Sequence, residues 1–130
     1  MNTPASLLPD TAELRKARGA FFTPEPVARY ISTWAVRTAS DRVLEPSCGE
    51  AVFLLSAAAR LQSLGADTSA IRLDGVELHE SSAARARDLL TEAGAQADIQ
   101  VGDFFLLEPS GDFDVVIGNP PYVRYQDFSG

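Results

Sequence analysis

The 130-residue sequence holds one cysteine, one histidine and one lysine, and it has no long run of apolar residues. A single thiol, Cys48, excludes an internal disulfide and suits a reducing compartment, so a cytoplasmic protein is expected. With His79 as the only imidazole and no second thiol near Cys48, the chain offers no metal-ligand cluster. Cys48 reads as a small apolar filler in a turn, and His79 as a surface or loop residue. No stretch approaches the roughly 18–20 apolar residues of a membrane span, and the N-terminus, with Asp10 and Glu13, lacks the basic-then-apolar pattern of a secretion signal. Positive charge is scarce as well. A net charge of −7 argues against this segment gripping a nucleic-acid backbone over a broad surface. The basic cluster Arg15, Lys16 and Arg18 reads equally well as a solvated helix face or a phosphate contact. What remains is ordinary globular composition for one domain, 45% apolar and 22% charged. Arginine in place of lysine, with abundant alanine, weakly suggests a high-GC bacterial genome.

Residues 11–18 predict a short helix stopped by Gly19, followed by a loop carrying Phe21 and Phe22. Thr23 is a good N-cap and Pro24 fits the first helical position. Val27, Tyr30, Ile31, Trp34 and Ala35 then recur at helical spacing, which predicts an amphipathic helix packed on a core through those residues. From Arg42 a rhythm begins: strand 42–45, turn 46–49, helix 50–64 stopped by Gly65, strand 71–78, helix 81–93 stopped by Gly94, strand 98–101 and strand 113–118. The last strand is the apolar run Asp114-Val115-Val116-Ile117-Gly118, read as buried. Strand, helix, strand, helix, strand predicts an α/β fold of roughly four parallel strands with right-handed crossovers and flanking helices. We expect an N-terminal helical segment over 1–38 and a partial Rossmann-like domain over 39–130.

In open parallel sheets the ligand sits beyond the carboxyl ends of the strands, and the informative residues fall there. After the first strand comes Glu45-Pro46-Ser47-Cys48-Gly49-Glu50, poor in the glycines that a pyrophosphate needs. Its two carboxylates are hostile to phosphate and friendly to an ammonium group. A cofactor with an amino-acid head and an adenosine but no phosphate fits; S-adenosylmethionine is that molecule. Glu77 ends the second strand, where a carboxylate can accept both ribose hydroxyls, or stand as a solvated acid. Asp103 ends the third, able to accept from the adenine amine while Phe104 covers the ring. Phe104 and Phe105 also suit a core, and one of them is expected there.

The fourth strand runs into Asn119-Pro120-Pro121-Tyr122. Neither proline can extend the ladder, and Asn119, preceding one, is pushed toward an extended conformation. The product is a stiff loop presenting an amide, free carbonyls and an aromatic ring. That set suits a planar amino group on a heterocycle, with two acceptors for its N–H bonds and a ring to stack on. The bland alternative is a strand-ending turn with a buried Tyr122.

Taken in order, these motifs resemble the N6-adenine DNA methyltransferases of restriction–modification systems, in the class where cofactor motifs precede the target-recognition region. The resemblance runs from about Arg15 to Tyr125. Phe21-Phe22-Thr23-Pro24 resembles the family's upstream cofactor motif, which implies a cofactor role for Phe22 and places Thr23 near the methionine moiety. Val43-Leu44-Glu45-Pro46-Ser47-Cys48-Gly49 resembles its first cofactor motif, Gly75-Val76-Glu77-Leu78 the ribose-binding strand and Gly102-Asp103-Phe104 the adenine-binding one. Asn119-Pro120-Pro121-Tyr122 resembles the catalytic loop, implying that Asn119, Pro120, Pro121 and Tyr122 act on an adenine flipped out of DNA. The family often has a second glycine where this chain has Ala51, whose methyl is expected to crowd the cofactor. By the same resemblance a full catalytic domain carries further strands and then a recognition domain, which would supply most DNA contacts. Two other functions share these motifs: methylation of a glutamine amide or of ribosomal RNA, and a non-catalytic cofactor-binding half completed by a partner chain or by that missing part.

Overall fold

Residues 23–49, 51–107 and 112–119 are described by the computed structural model. Within them a helix, α1 (Glu25–Ala35), precedes an alternation of β1 (Val43–Glu45), α2 (Val52–Ser63), β2 (Leu73–Glu77), α3 (Glu80–Glu92), β3 (Ala97–Val101) and β4 (Val115–Val116). The short helix anticipated over 11–18 lies outside the described residues.

The strands form one sheet in the order β3-β2-β1-β4, and every pairing is parallel. The order follows from chain connectivity. Each crossover helix carries the chain from one strand to a parallel neighbour, and after β3 the chain returns across the sheet to pair β4 with β1. The register sets Val43 opposite both Leu73 and Val115, and Glu77 opposite Val101. Apolar faces of α2 (Phe53, Leu54, Ala57, Leu61) and α3 (Ala83, Ala86, Leu90) close on Val43, Leu73 and Ile99 to make the core. Gly75 sits at its tightest point: a Cβ there would lie 2.8 Å from Ile99 Cδ1 and 3.2 Å from Cys48 Sγ. Only a bare backbone lets the first turn settle on β2.

Two expectations need correcting. The fourth strand spans two residues instead of six, because among the described residues β4 has a neighbour on one side only. Val115 and Ile117 are buried, whereas Val116 is 65% exposed, so among the described residues β4 is the edge of the sheet and not a strand buried on both faces. Helix α1 packs through only some of the residues that its periodicity singled out: Ile31 and Ala35 lie partly buried against the core, whereas Val27, Tyr30 and Trp34 are exposed. Tyr30 and Trp34 are 76% and 79% exposed, and the buried positions are the small Ala28 and Ser32, which let α1 lie close along α2.

The amino ends of the strands are locked by Arg42. Its guanidinium is 2.8 Å from the Asp74 carboxylate at the start of β2 and 4.5 Å above the Phe113 ring. Its backbone N–H donates to the Asp114 carboxylate at 2.9 Å, while its carbonyl accepts from the N–H groups of Asp114 and Val115. One residue thus joins β1, β2 and β4.

Candidate active site

At the carboxyl end of β1 the chain enters the glycine-poor turn. The Cys48 N–H donates to the Val76 carbonyl at 2.9 Å, and the Gly49 N–H donates to Glu77 Oε2 at 2.9 Å. Gly49 has φ 50° and Ala51 φ 64°. A left-handed alanine is strained by about 1–2 kcal/mol, which is a physical reason for a glycine at that position. The Ala51 methyl is fully buried, so it does not crowd an open cleft as the sequence comparison suggested; the cost falls on the backbone. Glu50 lies outside the described residues.

Glu45 is turned inward and 2% exposed. Its carboxylate accepts from the Leu54 backbone N–H at the start of α2, while Oε1 is buried without a partner. Burial, with the negative charge of Glu77 added, holds this carboxyl well above the usual carboxylate range despite the Leu54 hydrogen bond. Gly118 of the fourth strand end lies directly over it, since a Cβ there would be 3.4 Å from Glu45 Cγ. Burial, and then Glu45 and Glu77, also push the Cys48 thiol above its ordinary range. Cys48 is therefore no nucleophile at neutral pH.

Glu77 is buried and accepts on both oxygens, from Gly49 and from the His79 N–H at 3.3 Å. Its carbonyl accepts from the Gly102 N–H at 2.9 Å, which fastens the end of β3 to that of β2. Asp103 follows, its Oδ1 taking the Phe105 N–H at 2.9 Å. The Phe104 and Phe105 rings meet edge to face with centroids 6.0 Å apart. Phe105 is 90% exposed and Phe104 half-buried, so neither ring joins the core as one was expected to do. Leu78 is exposed beside Glu77.

The fourth strand end carries Asn119, exposed, whose Nδ2 donates to Thr23 Oγ1 at 3.2 Å. Thr23 does not cap α1. Pro24 takes that place, its carbonyl accepting from Val27 and Ala28, and no side-chain cap bond is made. Pro24 is extended at ψ 140°, which starts the helix one residue late and frees the Thr23 hydroxyl.

Thr23, Glu45, Pro46, Ser47, Cys48, Gly49, Glu77, Leu78, Asp103, Phe104 and Asn119 thus stand at or against the carboxyl ends of four adjacent strands. Phe22, Pro120, Pro121 and Tyr122 lie outside the described residues. Two contributors escaped the sequence reading: Gly118, whose backbone lies against Glu45, and Leu54, which contributes only its N–H. Glycine one residue before the amide was the available hint for the first, and none existed for the second.

Side-chain acceptors dominate this set, and the Gly49 N–H that a phosphate would use is already spent on Glu77. Two neighbouring carboxylates with one unpartnered oxygen suit a cationic ligand bearing hydroxyls better than a phosphate. A separate groove of about 500 Å³ runs between α1 and α2, lined by Glu25, Arg29, Val52 and Leu55 among others. It touches no strand end. Among the described residues no helix is long and apolar enough to cross a membrane, and no three metal-binding side chains are grouped.

A family model described as N-6 DNA Methylase matches residues 6–128. Type II methyltransferase M.PaeR7I of Pseudomonas aeruginosa is 35% identical over 84% of this chain and 24% of its own length. Type II methyltransferase M.XamI of Xanthomonas campestris pv. amaranthicola is 33% identical over 84% of this chain and 20% of its own length. The chain therefore spans about a quarter or less of those curated relatives. The fold matches the crystal structure of a type I restriction-modification methyltransferase subunit from Streptococcus thermophilus with a TM-score of 0.68 at 24% identity, over 78% of this chain and 23% of that one.

Proposed function

Since the chain belongs to the N-6 DNA methylase family, we propose that it is the cofactor-binding and amine-accepting part of an enzyme that transfers a methyl group from S-adenosylmethionine to adenine N6 in DNA, as a restriction–modification methyltransferase does. The observation that carries this reading is the placement of Asn119 at the end of β4, tied to Thr23 and one residue from the Gly118 that covers Glu45.

The acidic floor made by Glu45 and Glu77 favours a ligand with positive charge, and Glu77 retains lone pairs for ribose hydroxyls. Asp103 and Phe104 suit an adenine amine and ring, with Leu78 and the turn Pro46, Ser47, Cys48 and Gly49 completing the cofactor side; the family resemblance adds Phe22 to the same role. When bound, the cofactor supplies an electrophilic methyl on a sulfonium. The target adenine must leave the helix to reach the site. Asn119 Oδ1 and the Pro120 carbonyl then accept its two amino hydrogens, drawing the nitrogen toward tetrahedral geometry and freeing its lone pair. Tyr122 stacks on the base, worth about 1–3 kcal/mol, and the family resemblance assigns Pro121 to the same catalytic motif. No strong base is needed before transfer, because the proton leaves once the nitrogen is cationic. With a net charge of −7, this segment leaves most phosphate contacts to other parts of the enzyme.

The test is Asn119→Ala in the complete protein. Methyl transfer to DNA from labelled cofactor should fall by about 10²–10³-fold or more, the scale of losing one aligned transition-state group, while cofactor binding persists. Near-normal turnover refutes the assignment of Asn119. Parallel incubations with RNA and with a release factor identify the acceptor, and label in either of those alone moves the reading off DNA.

A further inference from the structure

The hydrogen bond between Asn119 and Thr23 joins segments 96 positions apart, and it decides which end of the amide faces outward. The two ends of a primary amide are alike in shape and opposite in chemistry: the NH₂ donates twice, the oxygen only accepts. An amine target has N–H bonds to give and therefore needs the oxygen. With Nδ2 committed to Thr23 Oγ1, Oδ1 is the end with no partner among the described residues.

We propose that Thr23 is a positioning residue, whose hydroxyl oxygen holds the Asn119 amide in the orientation that presents Oδ1 to the target amine. This rests on the reading of Asn119 as the amine acceptor and adds a role for Thr23 distinct from cofactor contact. Both partners are anchored by rigid neighbours. Thr23 stands immediately before Pro24, whose φ of −59° and whose carbonyl bonds to Val27 and Ala28 fix the head of α1. Asn119 follows Gly118, which fits against Glu45 and Pro46, and Ile117, whose N–H is bonded to the Leu44 carbonyl at 3.0 Å. The hydroxyl can also donate, so a flipped amide could still bond to it. That flip would point NH₂ at the amine's own N–H bonds, donor against donor. The productive pairing is the one in which Thr23 accepts.

Three variants of the complete protein test this: Thr23→Val, nearly equal in shape but without a hydroxyl; Thr23→Ser, which keeps it; and Asn119→Ala. Single-turnover methyl transfer is measured at saturating cofactor, and cofactor Kd by calorimetry. Thr23→Val should slow transfer by about tenfold, the scale of one net hydrogen bond, with Kd changed by no more than about twofold on the same scale. Thr23→Ser should recover most of that loss. A Thr23→Val protein with an unchanged rate overturns the proposal. So does one whose entire deficit lies in Kd, which makes Thr23 a cofactor contact, or a Thr23→Ser protein as slow as Thr23→Val. Near-normal transfer by Asn119→Ala overturns the underlying reading instead, so the two failures are told apart.

Discussion

The two ends of the sheet are built on opposite terms. At the amino ends, Arg42 meets an opposite charge, an aromatic face and backbone partners, and the Asp74 and Asp114 carboxylates facing it are both engaged. At the carboxyl ends, a carboxylate oxygen of Glu45 is buried without a partner, burial and then the neighbouring Glu77 raise its pKa, and Ala51 is held in a left-handed conformation. The same strands connect both. Carboxylates matched by a cation and by backbone donors at one end, with a strained turn and two neighbouring carboxylates at the other, fit a scaffold that gives up stability at its proposed site.

Substitutions can break this contrast, and the largest effect on stability is expected at the amino ends, where opposite charges are paired. Arg42→Ala leaves the partly buried Asp74 without its cation and uncovers Phe113. It should lower stability by about 2 kcal/mol, read as a reduced urea midpoint, with cofactor Kd unchanged in the folded protein. A loss under about 0.5 kcal/mol, ordinary for a surface position, would remove one half of the comparison.

At the opposite end, Glu45→Gln should stabilise at neutral pH by on the order of 1 kcal/mol, because a carboxyl disfavoured in its charged form no longer has to ionise or hold a proton there. The sign follows from linkage. With a raised folded-state pKa, the native protein binds more protons than the unfolded chain above the ordinary carboxylate range, so native stability falls as pH rises through that window. In acid both states are protonated and the penalty vanishes. The gain from Glu45→Gln should shrink toward zero as pH falls, and a gain independent of pH would contradict this account. Cofactor affinity should fall with the same substitution.

The smallest effect is expected for Ala51→Gly. Relief of about 1–2 kcal/mol of left-handed strain is offset by loss of a buried methyl, about 0.8 kcal/mol, and by added freedom in the unfolded chain. Stability should move by less than about 0.5 kcal/mol, the scale of a neutral substitution. Cofactor Kd should not change, because the methyl faces the core.

Much of the fold is legible in the sequence. Apolar periodicity and glycine stops located α2 and α3 to within one or two residues, and the alternation of elements required parallel strands. Because parallel strands present their carboxyl ends on one side, the positions of Glu45, Glu77, Asp103 and Asn119 in the chain were enough to group them. On α1 the periodicity correctly sets Ile31 and Ala35 against the core but not Tyr30 and Trp34, which have core-like chemistry, because contact with α2 selects the small Ala28 and Ser32. The length of β4 was misread because pairing depends on neighbours, and its outer side has none among the described residues.

Order of elements and the edge of the sheet that carries polar groups are local properties, written in spacing and residue type, and the sequence alone determined them. Which atoms meet is decided only in three dimensions. That Glu45 faces inward beneath Gly118, that Gly49 spends its N–H on Glu77, and that Thr23 turns from capping a helix to holding an amide 96 positions away all depend on burial and partnership. Those quantities belong to the space between segments, and no single segment encodes them.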